Sequence, residues 1–353
     1  MPATAATTPT RYRRLEPAPR IMRALVTGAT GFVGRRLVAE LIARGHSVRG
    51  LTRGGLSAAE PSPPERAEYV QGDILDRASL DRAAEGCDVV FHCAWGGTTL
   101  AEARRINVSG TEHVVRAAAT AGARRIVHMS SMAVHGRKLP PRLTEDHPLT
   151  RDGDAYALSK AEGERLAVRL ASELGLEIVV LRPTIIYGPG APLWLLHYFQ
   201  RAKMGNLRCV RRMEGIANLV HVADVVEALL LAAEAPAELS GSAFLISGPE
   251  PVTWREYFEA LARLAGRKLP PDVPRVVGPI VAYGGRIVQA VLGQPAPLSP
   301  MDLRLLATDT VVDIGRARTL LGYSPRVRLS DGIRDCAEWL VREGRINTTL
   351  VAA

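Results

Sequence analysis

Thr27-Gly28-Ala29-Thr30-Gly31-Phe32-Val33-Gly34 is the stretch that decides the fold of this chain. It follows the short apolar run Met22-Arg23-Ala24-Leu25-Val26 and opens a segment with helical periodicity, so the glycines at 28, 31 and 34 stand between a strand and a helix. Glycine there gives the tight turn its backbone freedom, admits a pyrophosphate against the main chain and lets the helix lie close to the strand. The helix N-terminus adds amide hydrogens and the positive end of its dipole. A dinucleotide-binding turn is expected, with Gly28, Thr30, Gly31, Phe32, Val33 and Gly34 around the phosphates.

Downstream, β-branched runs alternate with alanine-rich stretches. Strands are expected near 23–27, 47–52, 68–71, 88–94, 125–130 and 177–182, and helices near 32–44, 79–84, 104–121 and 154–174. This is the α/β pattern of a Rossmann-type doubly wound parallel sheet. Past Gly188-Pro189-Gly190 the alternation breaks, although a helix near 222–233 and a strand near 243–247 resume it. The expected organisation is a disordered extension over 1–21, a Rossmann domain over 22–188 plus about 219–248, and a smaller, interleaved C-terminal substrate lobe over about 189–218 and 249–345. Trp194, Leu195, Leu196, Tyr198, Phe199 and the apolar run 276–292 suit either the core of that lobe or an apolar pocket, and the pattern leaves both open.

With 353 residues, 47% of them hydrophobic, the chain has enough apolar side chain for a core, which excludes global disorder. Of the net charge of +9, residues 1–21 carry +3 through Arg11, Arg13, Arg14 and Arg20 against Glu16. The remainder is mildly basic without an extended basic run, so no nucleic-acid partner is expected. Cys87, Cys93, Cys209 and Cys336 show neither CxxC pairing nor zinc spacing, so packing in a reducing cytoplasm is expected, with no metal. The longest apolar stretch, 276–293, contains Arg286 and several glycines and is not expected to span a membrane.

Tyr156 and Lys160 stand four apart on an expected helix and so share a face. A phenol that exchanges a proton with a carbinol near neutral pH needs its pKa, about 10 when free, brought down by a cation. Lys160 is expected to do this, and it is one of only four lysines, with Lys138, Lys203 and Lys268, among 45 basic residues. Ser131 ends a buried strand at the carboxyl edge, where open α/β sheets bind ligands, and is expected to orient a substrate oxygen. The second strand ends Val48-Arg49-Gly50-Leu51-Thr52-Arg53, with no acid for a ribose diol. Arg53 suits a 2′-phosphate, so NADP is preferred as cofactor, with NAD as the alternative.

Together with HCAW at 92–95, SSMAVHG at 130–136, YALSK at 156–160, LRPTIIYGPG at 181–190, LVHVADVVEA at 219–228 and DIGRARTLLGYSP at 313–325, these features resemble the extended short-chain dehydrogenase/reductase family. That family is also called the NAD-dependent epimerase/dehydratase family. The resemblance runs from about 22 to 344 and is nearest to its 3β-hydroxysteroid dehydrogenase and dihydroflavonol reductase members. It implies Ser131, Tyr156 and Lys160 as the catalytic trio, Asp73 and Ile74 at the adenine, and Cys93, Ala94, Asn107, Pro183 and Ile186 along the cofactor. It also implies a homodimer through a bundle that includes the Tyr156 helix. Trp95 and Tyr187 are expected at the substrate, a small molecule.

Two departures from family patterns bear on the reaction. Sugar-nucleotide dehydratases carry Thr-Asp-Glu where this chain has Ser131-Met132-Ala133, and Ala217 stands where nucleotide-sugar epimerases place an arginine for the diphosphate. Nearby Arg208, Arg211 and Arg212 are candidate substitutes. The expected activity is hydride transfer between a nicotinamide and a secondary alcohol or ketone. A nucleotide-sugar epimerase using the same trio is the alternative, and a non-catalytic dinucleotide sensor the third reading.

Overall fold

A computed structural model describes residues 21–54, 66–205, 207, 213–269 and 308–347. Its first five residues of strand, β1 (Arg23–Thr27), run through the centre of a seven-stranded parallel sheet. The turn after β1 leads into α1 (Phe32–Ala43), and β2 (Ser47–Thr52) returns beside β1, followed by β3 (Glu68–Gln71) at one edge. After α2 (Arg77–Ala84) the chain crosses to the other side of β1 and lays down β4 (Val89–His92). Beyond it come β5 (Arg125–Met129), β7 (Glu177–Pro183) and, at the far edge, β10 (Ala243–Ile246). Strand order therefore reverses between β1 and β4, which opens a crevice at their carboxyl ends.

Strands β4 and β5 are buried at every position, as strands covered by helices on both faces must be. One face is covered by α1 and α7 (Val222–Glu234), the other by α2, α4 (Gly110–Thr120) and α5 (Ala155–Glu173). The helix expected over 104–121 is broken into three. A capping box between Thr99 and Glu102 starts α3 (Leu100–Arg104), a π-helical turn spans Arg105–Ser109, and α4 follows. The widened turn meets Gly163 of α5, where a Cβ would lie 2.2 Å from the Asn107 carbonyl oxygen.

Two short parallel pairs lie outside the main sheet: β6 (Arg142–Leu143) with β11 (Val311–Val312), and β8 (Ile185–Tyr187) with β9 (Leu219–His221). A second core gathers Leu195, Tyr198 and Phe199 with Trp254, Tyr257 and Phe258 of α8 (Trp254–Leu264) and residues of α9 (Leu329–Arg342). Leu195 is fully buried, and Trp194 and Leu196 pack against this cluster, so the aromatic run is core rather than open pocket wall. The extension 1–20, the apolar run 276–292 and Cys209 lie outside the described residues, as do Arg208, Arg211 and Arg212. Among the described residues no helix is long and apolar enough to cross a membrane.

Candidate active site

At the head of α1, Gly31 is the N-cap residue, and the helix has neither a side-chain cap nor an acid in its first turn. Its leading amides are thus left for an outside anion, as a diphosphate requires. Gly28 adopts φ +69°, and a Cβ there would fall 2.9 Å from the Ala94 amide nitrogen, so the turn lies directly on the end of β4. At Gly34 a Cβ would meet the Gly28 carbonyl oxygen at 2.0 Å. The glycine loop therefore fits a dinucleotide in both senses: backbone stands where side chains would intrude, and no side chain caps the amides at the head of α1.

Behind this loop runs a hydrogen-bonded chain whose direction can be worked out. The Ala94 amide donates to Thr27 Oγ1, and Thr111 Oγ1 donates to the Asn107 carbonyl. Thr111 has spent its one proton, so His92 Nε2, 2.9 Å away, must be the donor to it. His92 is fully buried and its pKa is pushed down to about 3, so its Nδ1 carries a lone pair and accepts from Thr27 Oγ1 at 2.8 Å. Asn107 continues the network: its Oδ1 accepts from the Gly96 amide, and its Nδ2 donates to the Gly96 carbonyl and to Ser159 Oγ. Ser159 in turn donates to the Tyr156 carbonyl. Thr27, His92, Thr111 and Ser159 escape sequence reading because their role appears only when four elements, β1, β4, α4 and α5, meet.

Asp154 caps α5 by accepting from the Ala157 amide, and Tyr156 and Lys160 follow on its first turns. Ser131 follows β5, its hydroxyl acting on the Tyr156 phenol to favour ionisation, while its own Oγ accepts from the Ala133 amide. Lys160 is buried, and its ammonium donates to the Met129 carbonyl at 2.6 Å. Burial lowers its pKa to about 8, opposed by the charge of Glu164. Tyr156 departs from the expectation: desolvation raises its pKa, the Ser131 hydroxyl opposes this, and the charge of Asp154 adds to it. Acidification of Tyr156 by Lys160 is not a feature of this structure, because the ammonium is turned to a main-chain carbonyl.

Beneath the trio lies a buried ionic cluster. Glu164 takes Ser130 Oγ at 2.5 Å and pairs with Arg182 at 2.5 Å, and Arg182 also reaches His135 and the Glu145 carbonyl. The spacing of Lys160 and Glu164 was a visible signal for it. His128, beside His92, is buried with both ring nitrogens unpartnered, and burial together with Lys160 holds it well below the ordinary histidine range.

The other expected site residues divide. Cys93 and Ala94 continue from β4 into the crevice, with burial pushing the Cys93 thiol up to about 12. Trp95 follows them, 59% exposed, and meets Tyr156 edge to face with ring centroids 5.4 Å apart. Arg53 is exposed just past β2, and one Asp73 carboxylate oxygen accepts from the Leu75 amide. Thr30, Phe32 and Ile186 are half-buried, and Val33, Ile74 and Pro183 are buried, Ile74 against Gly110. Tyr187 needs correction: it is 2% exposed within the second core, against Tyr257, His221 and Gly332, and does not face a substrate. The dehydratase and epimerase positions hold Met132 and Ala133 in a 3₁₀ turn and a buried Ala217. Among the described residues no group of His, Cys, Asp or Glu is arranged for a metal.

Known proteins agree with this architecture. The chain is 34% identical over 321 residues to the 4-hydroxy-2-methyl-3-oxo-4-farnesyl-3,4-dihydroquinoline-1-oxide ketoreductase of Stigmatella aurantiaca, covering 88% of this chain and 95% of the relative. It is 30% identical over 339 residues to a 3β-hydroxysteroid dehydrogenase/Δ5→4-isomerase of Mycobacterium tuberculosis, covering 90% of each. The solved structure of MoeE5 in complex with UDP-glucose and NAD superposes with a TM-score of 0.71 at 26% identity, over 91% of this chain and 99% of that one. Residues 24–247, from β1 past the last strand of the main sheet, match the NAD dependent epimerase/dehydratase family, and the chain belongs to that family of NAD(P)-dependent enzymes.

Proposed function

We propose that the protein is an oxidoreductase that moves a hydride between a nicotinamide nucleotide and a secondary alcohol or ketone, with Tyr156 as general acid and base. The observation that carries this reading is that Ser131, just past β5, acts on Tyr156 of the first turns of α5, with the ammonium of Lys160 held on the Met129 carbonyl of β5, beside a glycine loop whose helix head has no side-chain cap. The loop would hold the pyrophosphate, Asp73 the adenine and Lys160 the nicotinamide ribose. When bound, the nicotinamide supplies or accepts the hydride. In reduction Tyr156 gives its hydroxyl proton to the substrate oxygen, and in oxidation it takes that proton back. A raised phenol pKa favours the first role, since the proton is present across the neutral range. Ser131 orients the same oxygen, and Lys160 keeps a positive charge behind it.

Two further parts belong to the proposal: NADP is preferred through Arg53, and the protein is a homodimer acting in the cytoplasm. Ala217 and Met132-Ala133 weigh against a nucleotide-sugar substrate, because neither a diphosphate clamp nor a carboxylate stands at those positions. The test is consumption of NADPH or NADH by purified protein with a panel of ketones. Net consumption is expected, and Tyr156→Phe should lower kcat by at least about a hundredfold. Interconversion of UDP-glucose and UDP-galactose without net cofactor consumption would overturn the reading in favour of the epimerase. Arg53→Ala should weaken NADPH about tenfold or more while sparing NADH, read from the two KM values. Equal effects on both nucleotides would remove Arg53 from the cofactor site.

A further inference from the structure

Glu164 follows Lys160 by one turn of α5 and shares its face. It is 2% exposed, and two strands send donors to its carboxylate. Ser130 Oγ, just past β5, donates to one oxygen at 2.5 Å, and Arg182 of β7 donates to both, its shortest bond 2.5 Å. The main chain closes the same corner: the Ser130 amide donates to the Leu181 carbonyl, and the Lys160 ammonium to the Met129 carbonyl. Two side chains one turn apart on α5 thus grip two consecutive residues, 129 and 130, directly before Ser131. Replacing a buried ion pair by apolar side chains of similar volume is often neutral or stabilising, so stability alone does not call for Glu164 and Arg182 here.

The other titratable groups around the ammonium are His92 and Cys93 of β4, His128 of β5 and, one turn earlier on α5, Tyr156. Burial keeps all four uncharged near neutral pH: His92 is pushed down to about 3 and His128 well below its ordinary range, the Cys93 thiol is pushed up to about 12, and the Tyr156 phenol is raised. Burial also disfavours the ammonium itself, opposed first by Glu164 and then by Cys93. With the thiol neutral, the anion left to face the ammonium is Glu164. We propose that Glu164 is a positioning residue whose carboxylate, clamped by Ser130 and Arg182, keeps Lys160 an ammonium in a dry site. The use of that charge rests on the oxidoreductase reading above, whereas the charge itself does not.

The test reads the protonation of Lys160 directly. With lysines only at 138, 160, 203 and 268, full-length protein labelled with [13Cε]lysine can be titrated by NMR signal by signal, Lys160 being assigned by its loss in Lys160→Arg. In the wild type this signal should titrate at about pH 8. Glu164→Gln should lower the midpoint by about one pH unit or more, while Glu164→Asp, which keeps the charge, should hold it within about half a unit. Because Glu164→Gln leaves Arg182 a lone buried cation, the decisive variant is Glu164→Gln with Arg182→Met, in which the midpoint should also fall. A midpoint unchanged or raised in this double variant overturns the proposal, whatever the protein does with ketones. A midpoint that falls bears it out, and the alkaline limb of kcat/KM for ketone reduction should then move by the same amount. A falling midpoint in a protein whose wild type turns over no ketone removes the oxidoreductase reading and leaves the link between Glu164 and Lys160 standing.

Discussion

Tyr156 and Lys160 were visible as a pair from their spacing, yet their electrostatics were not, because these depend on what burial does to each. Spacing puts two side chains on one face of a helix; it does not say which carbonyl the ammonium will find. Here the Met129 carbonyl takes it, and Tyr156 answers to Ser131 and to desolvation instead. A pH dependence follows. Lys160 in the fold has a pKa near about 8, below the ordinary lysine value, so its charged form is present below that pH and lost as pH rises through it. If the ammonium is the working form, kcat/KM for ketone reduction in the free enzyme should be level to about pH 8 and fall about tenfold per pH unit above it. A level profile through pH 10, roughly where an unperturbed lysine titrates, would detach the activity from Lys160's charge.

Elements were easier to read than residues. Strands at 23–27, 47–52 and 68–71 and the helix starting at 32 follow directly from period and from the glycine turn. The region 100–120 did not, because an alanine-rich stretch satisfies an α-helix throughout and nothing in its period marks a π turn. What demands the turn is contact: Gly163 on α5 brings backbone against the Asn107 carbonyl. Gly163→Ala should therefore force α5 and the π turn apart, costing about 1–3 kcal/mol as over-packing usually does. The expected result is a lower melting temperature with a loss of kcat larger than that of an exposed control such as Ala101→Gly. Unchanged melting and activity would mean the two elements separate at no cost.

For the molecule as a whole, the aromatic run near 194–199 had two readings, and only packing against α8 and α9 decided for core, since period alone cannot tell a lining from an interior. Histidine burial is likewise invisible in sequence, and it contributes to the acid sensitivity of the fold. His92 is pushed down to about 3, and His135 and His221 to about 4, all by desolvation, with His128 also well lowered. Each binds its proton more readily when the chain is unfolded, so its stabilising effect is complete above about pH 6.5 and is lost as pH falls through the window down to the folded value. By about pH 5 each group weighs up to about 2 kcal/mol against the fold, which predicts a steep fall in melting temperature between pH 7 and 5. A melting temperature level across that range would contradict the burial of these rings. The chain from Ala94 through Thr27, His92 and Thr111 to Asn107 has a further consequence, for heredity rather than for titration. Each hydroxyl and ring nitrogen in it has one direction available, so losing the side chain of Thr27, His92 or Thr111 strands its neighbours in a dry interior, whereas Ala94 and Asn107 enter it through main-chain groups. Single substitutions at Thr27, His92 and Thr111 therefore carry a cost of about 1–3 kcal/mol each that a concerted change of partners would avoid, which ties the inheritance of these three positions together.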